Sequence, residues 1–82
     1  MKLIYTTHAL QRMAKRKLSK EWIERVVRNP SRIEPDEVDS TVEHRLAVVP
    51  ELANGVLRVI VTKGGRKRVI TTYLDRKMKG RI

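Results

Sequence analysis

Eighty-two residues leave room for one small domain, and 40% hydrophobic content is enough for a folded core and too much for a disordered tail. The absence of cysteine excludes disulfides, thiolate chemistry and cysteine metal clusters, and no stretch is apolar enough for a membrane span or signal peptide, so the cytoplasm is the expected location. The net charge of +10 is unevenly spread: residues 1–20 carry six basic side chains and no acid, residues 63–82 carry eight and Asp75, and residues 21–62 carry five arginines against eight acids. Basic ends that meet in the fold would form a patch attracting phosphate backbones, and an acidic protein partner would be drawn by the same field.

In chain order, Lys2 to Tyr5 is a short strand candidate, and Thr7 is the expected N-cap of a helix starting near His8. At 100° per residue, Ala9, Leu10, Met13, Ala14 and Leu18 share one face. His8, Gln11, Arg12, Lys15 and Arg16 share the other. Ser19 caps a second helix with Trp22, Ile23, Val26 and Val27 as its apolar stripe, and Asn29-Pro30 ends it. Residues 31–40, with Pro35 and four acids, read as a loop or irregular edge segment. Thr41 to Val49, Val56 to Lys63 and Arg66 to Leu74 read as strands, the last two joined by a two-residue Gly64-Gly65 turn. The expected fold is α+β: an N-terminal strand, two helices, then a three- to four-stranded antiparallel sheet, in a single domain over 1–74. The basic tail, 75–82, is either a short helix or disordered.

A Gly64-Gly65 turn sets the hairpin register. Arg58 then opposes Thr71, Val56 opposes Tyr73 and Ile60 opposes Val69 on one face, while Leu57, Val59, Val61, Ile70 and Thr72 turn toward the helices. The Arg58 face is either a groove or an ordinary wet sheet face. Setting Val49 beside Val56 adds Glu43, Arg45 and Ala47 to that face and sends His44 to the core side, outside the site.

The sharpest chemical signal is His8 with Arg12 one helical turn on, flanked by Lys15 and Arg16. Histidine transfers protons near neutral pH, and guanidinium groups grip phosphate and steady the extra charge of a phosphorane. Those are the parts for RNA cleavage without a metal ion, with Glu43 a second base if it enters the groove. The bland alternative is that His8 orients the first turn and the arginines are a solvated face. No cofactor is expected. The two histidines stand thirty-six residues apart in a positive surround, and Gly64-Gly65 is a turn, not a phosphate loop.

The string from Thr7 through His8, Arg12, Met13 and Arg16, followed by Leu18-Ser19-Lys20-Glu21, Asn29-Pro30 and Val69-Ile70-Thr71-Thr72-Tyr73, carries a resemblance. Over roughly residues 4–74 the chain resembles small bacterial domain-of-unknown-function proteins that open on HAxxRMxxR. These are grouped with BrnT-like toxins in the RelE/ParE-like superfamily. The resemblance implies a toxin of a toxin–antitoxin pair. RelE-type members cleave mRNA, often on the ribosome, whereas ParE-type members poison gyrase. By that likeness Arg58 and Tyr73 match a sheet arginine and a late aromatic of RelE-like proteins, while His8 and Arg12 match the opening motif. The expected catalytic set is His8, Arg12, Arg58 and Tyr73, with Lys15, Arg16, Arg45, Arg66 and Arg68 steering RNA. The expected partners are RNA and an acidic antitoxin, with a non-catalytic nucleic-acid binder or gyrase poison as the alternative.

Overall fold

The computed structural model describes residues 2–82. Strand β1 (Ile4–Tyr5) leads into α1 (Thr7–Arg16) and α2 (Lys20–Arg28), followed by β2 (Arg32–Pro35), β3 (Val42–Val49), β4 (Gly55–Thr62) and β5 (Arg68–Leu74). Short 3-10 turns cover Pro50–Leu52 and Arg76–Met78. The strands form one mixed sheet in the order β1-β5-β4-β3-β2, with β1 parallel to β5 and the other neighbours antiparallel. The sheet therefore has five strands and not three or four. The extra strand is β2, in the stretch expected as a loop or irregular edge; as an edge strand with mostly exposed side chains it needs no apolar alternation. No helix among the described residues is long and apolar enough to cross a membrane.

Thr6, one residue before the expected Thr7, caps α1. Its hydroxyl oxygen accepts from the Ala9 N–H at 3.0 Å and donates to the Ile70 carbonyl at 2.9 Å, tying the helix start to β5. α1 ends where Lys17 turns left-handed (φ 56°): the Leu18 N–H reaches the Met13 carbonyl and the Lys17 N–H the Ala14 carbonyl. This is a Schellman ending, and it explains why Lys17 leaves the apolar face while Leu18 returns to the core. Ser19 caps α2 through the Trp22 N–H as expected, and Ile23, Val26 and Val27 are buried. Both helices lie on one face of the sheet, where Ala9, Met13, Leu18 and the α2 stripe join Ala47, Val49, Leu57, Val59, Val61 and Val69.

Two register expectations need correction. Arg58 pairs with Tyr73 and Ile60 with Thr71, two residues from the expected alignment, because the strands stop at Thr62 and Arg68 and leave a five-residue loop, 63–67, in place of a two-residue turn. The Arg68 N–H closes that loop onto the Thr62 hydroxyl at 2.8 Å. A shift of two preserves faces, so Arg58, Thr71 and Tyr73 still share one. A bulge at the Ile60/Val61 step exchanges Val69 and Ile70: Val69 enters the core and Ile70 leaves it. Between β3 and β4 the error is one residue. Val48 faces Val56 and Leu46 faces Arg58, so His44 joins the Arg58 face while Glu43, Arg45 and Ala47 turn toward the helices.

Candidate functional site

The first cationic region grows out of the pairing of α1 with β5. Burial of Ala9 and Met13 turns His8, Arg12 and Arg16, each one helical turn from the next, outward along the strand. They meet Thr71, Tyr73 and Leu74 across an open groove of about 370 Å³. Arg16, Tyr73 and Leu74 continue into a hollow of about 580 Å³ whose other walls are Asp75, Arg76 and Lys77. Lys15 borders a smaller depression with His8, Gln11 and Arg12. Among the described residues, none of Arg12, Lys15, Arg16, Arg76 and Lys77 forms an ion pair. Lys15, Arg16, Arg76 and Lys77 are exposed, Arg12 is half-buried against the strand, and Tyr73 is 38% exposed between them. A polyanion would meet free charge here, with an aromatic surface in the floor.

The second region, centred on Arg58, is different in kind. Arg58 is only 9% exposed, and nearly every guanidinium donor is occupied. Nε and Nη2 donate to Asp75 Oδ2 at 2.9 and 2.7 Å, while Nη1 donates to Glu34 Oε1 at 3.0 Å and to His44 Nδ1 at 2.7 Å. A guanidinium only donates, so His44 Nδ1 accepts, which places the ring hydrogen on Nε2, 2.7 Å from Asp36 Oδ1. Arg32 closes the set on Glu34 at 2.8 Å. Burial opposes the Arg58 charge, but the bonds to Asp75 and Glu34 outweigh it and hold its pKa above the ordinary value. For Asp75, burial is likewise outweighed, by Arg58, and its carboxyl sits below the ordinary value. The Asp36 carboxyl is pulled down to about 2, first by the Asp39 N–H and then by His44 and the Val38 N–H. Three carboxylates thus stand against two guanidiniums.

With these two regions described, the comparison with known families is decisive for kinship. Residues 5–74 match the family described as Domain of unknown function (DUF4258). The chain belongs to that family. No curated protein and no solved structure matches it. The DUF4258 span runs from Tyr5 to the last residue of β5, so Asp75, Arg76 and Lys77 lie just beyond it.

Within this DUF4258 domain, the fold gathers His8, Arg12, Arg16 and Tyr73 along one groove, with Lys15 at its border. Arg58 lies directly across from Tyr73, but its donors are turned to the carboxylates and His44. Arg45 is on the opposite face, where Nη1 donates to the Val27 carbonyl at 2.6 Å and Nε to Glu43 Oε2 at 2.7 Å. It secures the last turn of α2 to the sheet, and Glu43 serves it there. Arg66 and Arg68 are exposed at the other end of β5, with Arg68 five residues or roughly 16 Å of strand from Tyr73. Sequence reasoning missed His44, Asp75, Arg76 and Lys77. A lone acid in a basic tail, directly after a strand, was the available signal for Asp75.

Proposed function

We propose that this DUF4258 domain is the toxin of a toxin–antitoxin pair, BrnT-like and of the RelE/ParE-like superfamily, acting in the cytoplasm as an endoribonuclease that needs no metal ion. The observation that carries the proposal is the convergence of a histidine, two unpaired arginines and an exposed tyrosine on one groove. In this reading Arg12 and Arg16 seat the scissile phosphate and steady its added charge. His8 takes the proton of the neighbouring 2′-hydroxyl, and the 2′-oxygen attacks phosphorus. The bond to the 5′-oxygen breaks, leaving a 2′,3′-cyclic phosphate, and that oxygen leaves as a hydroxyl with a proton taken from water while His8 returns its own proton to solvent. Tyr73 stacks on a base beside the cut. An acidic antitoxin would silence the toxin by covering the same cations.

The saturation of Arg58 favours a second reading, in which the groove binds nucleic acid or gyrase without cutting. Incubating the purified protein with labelled RNA in EDTA, and separately with ribosomes and mRNA in magnesium, separates the two. Cleavage to cyclic-phosphate ends, lost in His8→Ala while RNA binding persists, is the expected result. Intact RNA under every condition would leave the binder.

A further inference from the structure

The chain beyond Leu74 reaches the groove through one anchored residue. The Asp75 N–H donates to the Val56 carbonyl at 2.8 Å, its Oδ2 accepts two Arg58 donors, and its Oδ1 accepts from the Lys77 N–H at 3.1 Å. Asp75 therefore ends the pairing with β4 and caps the turn Arg76–Met78 in one position. The two residues that follow, Arg76 and Lys77, are exposed and share a hollow with Arg16 and Tyr73 that is continuous with the His8 groove.

We propose that Arg76 and Lys77 are the second half of an RNA-backbone track that begins at Arg12 and Arg16, and that Asp75 and Arg58 are the positioning pair that holds them there. The proposal rests on the RNA reading of the groove. Arg12 and Arg16 are one helical turn, about 6 Å, apart along α1, and Arg76 and Lys77 lengthen the line of cations past Tyr73.

The opposite arrangement would have Asp75 as a stand-in anion, displaced when a phosphate binds Arg58. Charge argues against it. With Asp75 gone, Arg58 Nη1 still donates to Glu34, and Asp36 stands behind His44, so an entering phosphate meets two carboxylates. A phosphate taking the place of Asp75 would also gain no Arg58 donor that Asp75 does not already hold, since Nη1 stays with Glu34 and His44. Asp75 stays, and Arg58 acts through the tail.

The test is binding of a short single-stranded 2′-O-methyl RNA, which cannot be cut by 2′-attack, measured against salt for the native chain, Asp75→Asn and the double variant Arg76→Ala/Lys77→Ala. Each lost phosphate contact lowers the logarithmic salt slope by about 0.7 for a single strand, so the double variant should lose about 1.4. Asp75→Asn should also bind more weakly and with a lower slope, although it removes a negative charge from beside the groove. A steering effect of charge alone would make that variant bind more tightly, and tighter or unchanged binding overturns the proposal. An unchanged slope in the double variant overturns it too. Both substituted side chains are exposed, so this arm is decisive even where Asp75→Asn unfolds. A native chain that does not bind the RNA overturns the RNA reading and this inference with it; native binding with unaltered slopes in the variants overturns the inference alone.

Discussion

Two arginine-bearing regions lie side by side on this small sheet, and they do opposite things with their charge. Along α1 and β5, Arg12 and Arg16 have no carboxylate partner; Arg16 is exposed and Arg12 half-buried at the groove. One strand inward, Arg58 is buried and held by Asp75, Glu34 and His44. Both regions read alike in a charge count. Partner placement separates them, because a guanidinium whose donors are occupied cannot also grip a phosphate, whereas one without partners pays no exchange penalty when an anion arrives. Arginine number is thus a poor guide to where an anion binds, and a paired arginine beside a free set holds the scaffold on which the free set is displayed.

Substitution at the centre of each region is the strongest way to break this contrast. Arg58→Ala leaves Asp75 and Glu34 without their shared cation in a poorly hydrated setting, and should cost about 3 kcal/mol of stability, at the lower end for a broken buried pair. For a domain of this size that lowers the melting midpoint by more than about 10 °C. Arg12→Ala with Arg16→Ala breaks no ion pair and should move stability by no more than about 1 kcal/mol for the two, while weakening RNA binding and its salt dependence. Thermal melts and salt titrations on the same preparations check both halves. Equal destabilisation by the two sets of changes would erase the distinction.

Arg45 offers the next, smaller test, because its charge was expected in the groove and its bonds lie elsewhere. Losing the charged bond to the Val27 carbonyl and leaving Glu43 without its cation in Arg45→Ala should cost about 2 kcal/mol and leave RNA affinity nearly untouched. Weaker RNA binding at unchanged stability would return Arg45 to the interface.

The misplacement of Arg45 shows where sequence reasoning stops. Helix periodicity put Ala9, Met13, Ile23, Val26 and Val27 in the core and His8, Arg12 and Arg16 outside, because a 3.6-residue period is a local property that burial must respect. Faces in the β4–β5 hairpin were also legible from Thr71 to Leu74, where the register was off by an even number, but beyond the bulge Val69 and Ile70 changed places. Across β3 and β4 an odd error reversed everything: His44, set aside as a core residue, is a ligand of Arg58, and Arg45 is not in the groove. Both strands are apolar on both faces, with Leu46 and Val56 buried on one and Val49 and Leu57 on the other, so alternation could not choose the register. The 3-10 turn at Pro50–Leu52 and the left-handed Ala53 and Asn54 set it, and no hydrophobic pattern encodes them. The Asp75–Arg58 pair spans seventeen residues and depends on that same geometry.

The smallest expected effect separates two carboxylates brought to a similar value by different means. Asp36, in the Arg58 cluster, and Glu51, on the surface, both titrate at about 2. A carboxyl whose folded pKa lies below its ordinary value contributes its full stability above that ordinary value, near 4, and loses it as pH falls toward 2. Acid should therefore weaken the fold through both groups in the same window. Their causes differ, however. Glu51 is depressed first by the Arg25 side chain, whose Nη1 and Nη2 lie 2.9 and 2.8 Å from its oxygens in an exposed pair. Asp36 is depressed first by the Asp39 N–H at 2.8 Å, a short-range bond that salt hardly screens. Melting midpoints between pH 2 and 5 should flatten in both Glu51→Gln and Asp36→Asn. Molar salt should flatten the native profile more than that of Glu51→Gln, which has lost its exposed pair, while Asp36→Asn keeps the native response to salt. If salt abolishes the Asp36 share instead, its carboxylate is held by long-range charge, and the Arg58 cluster is less locally bonded than its distances imply.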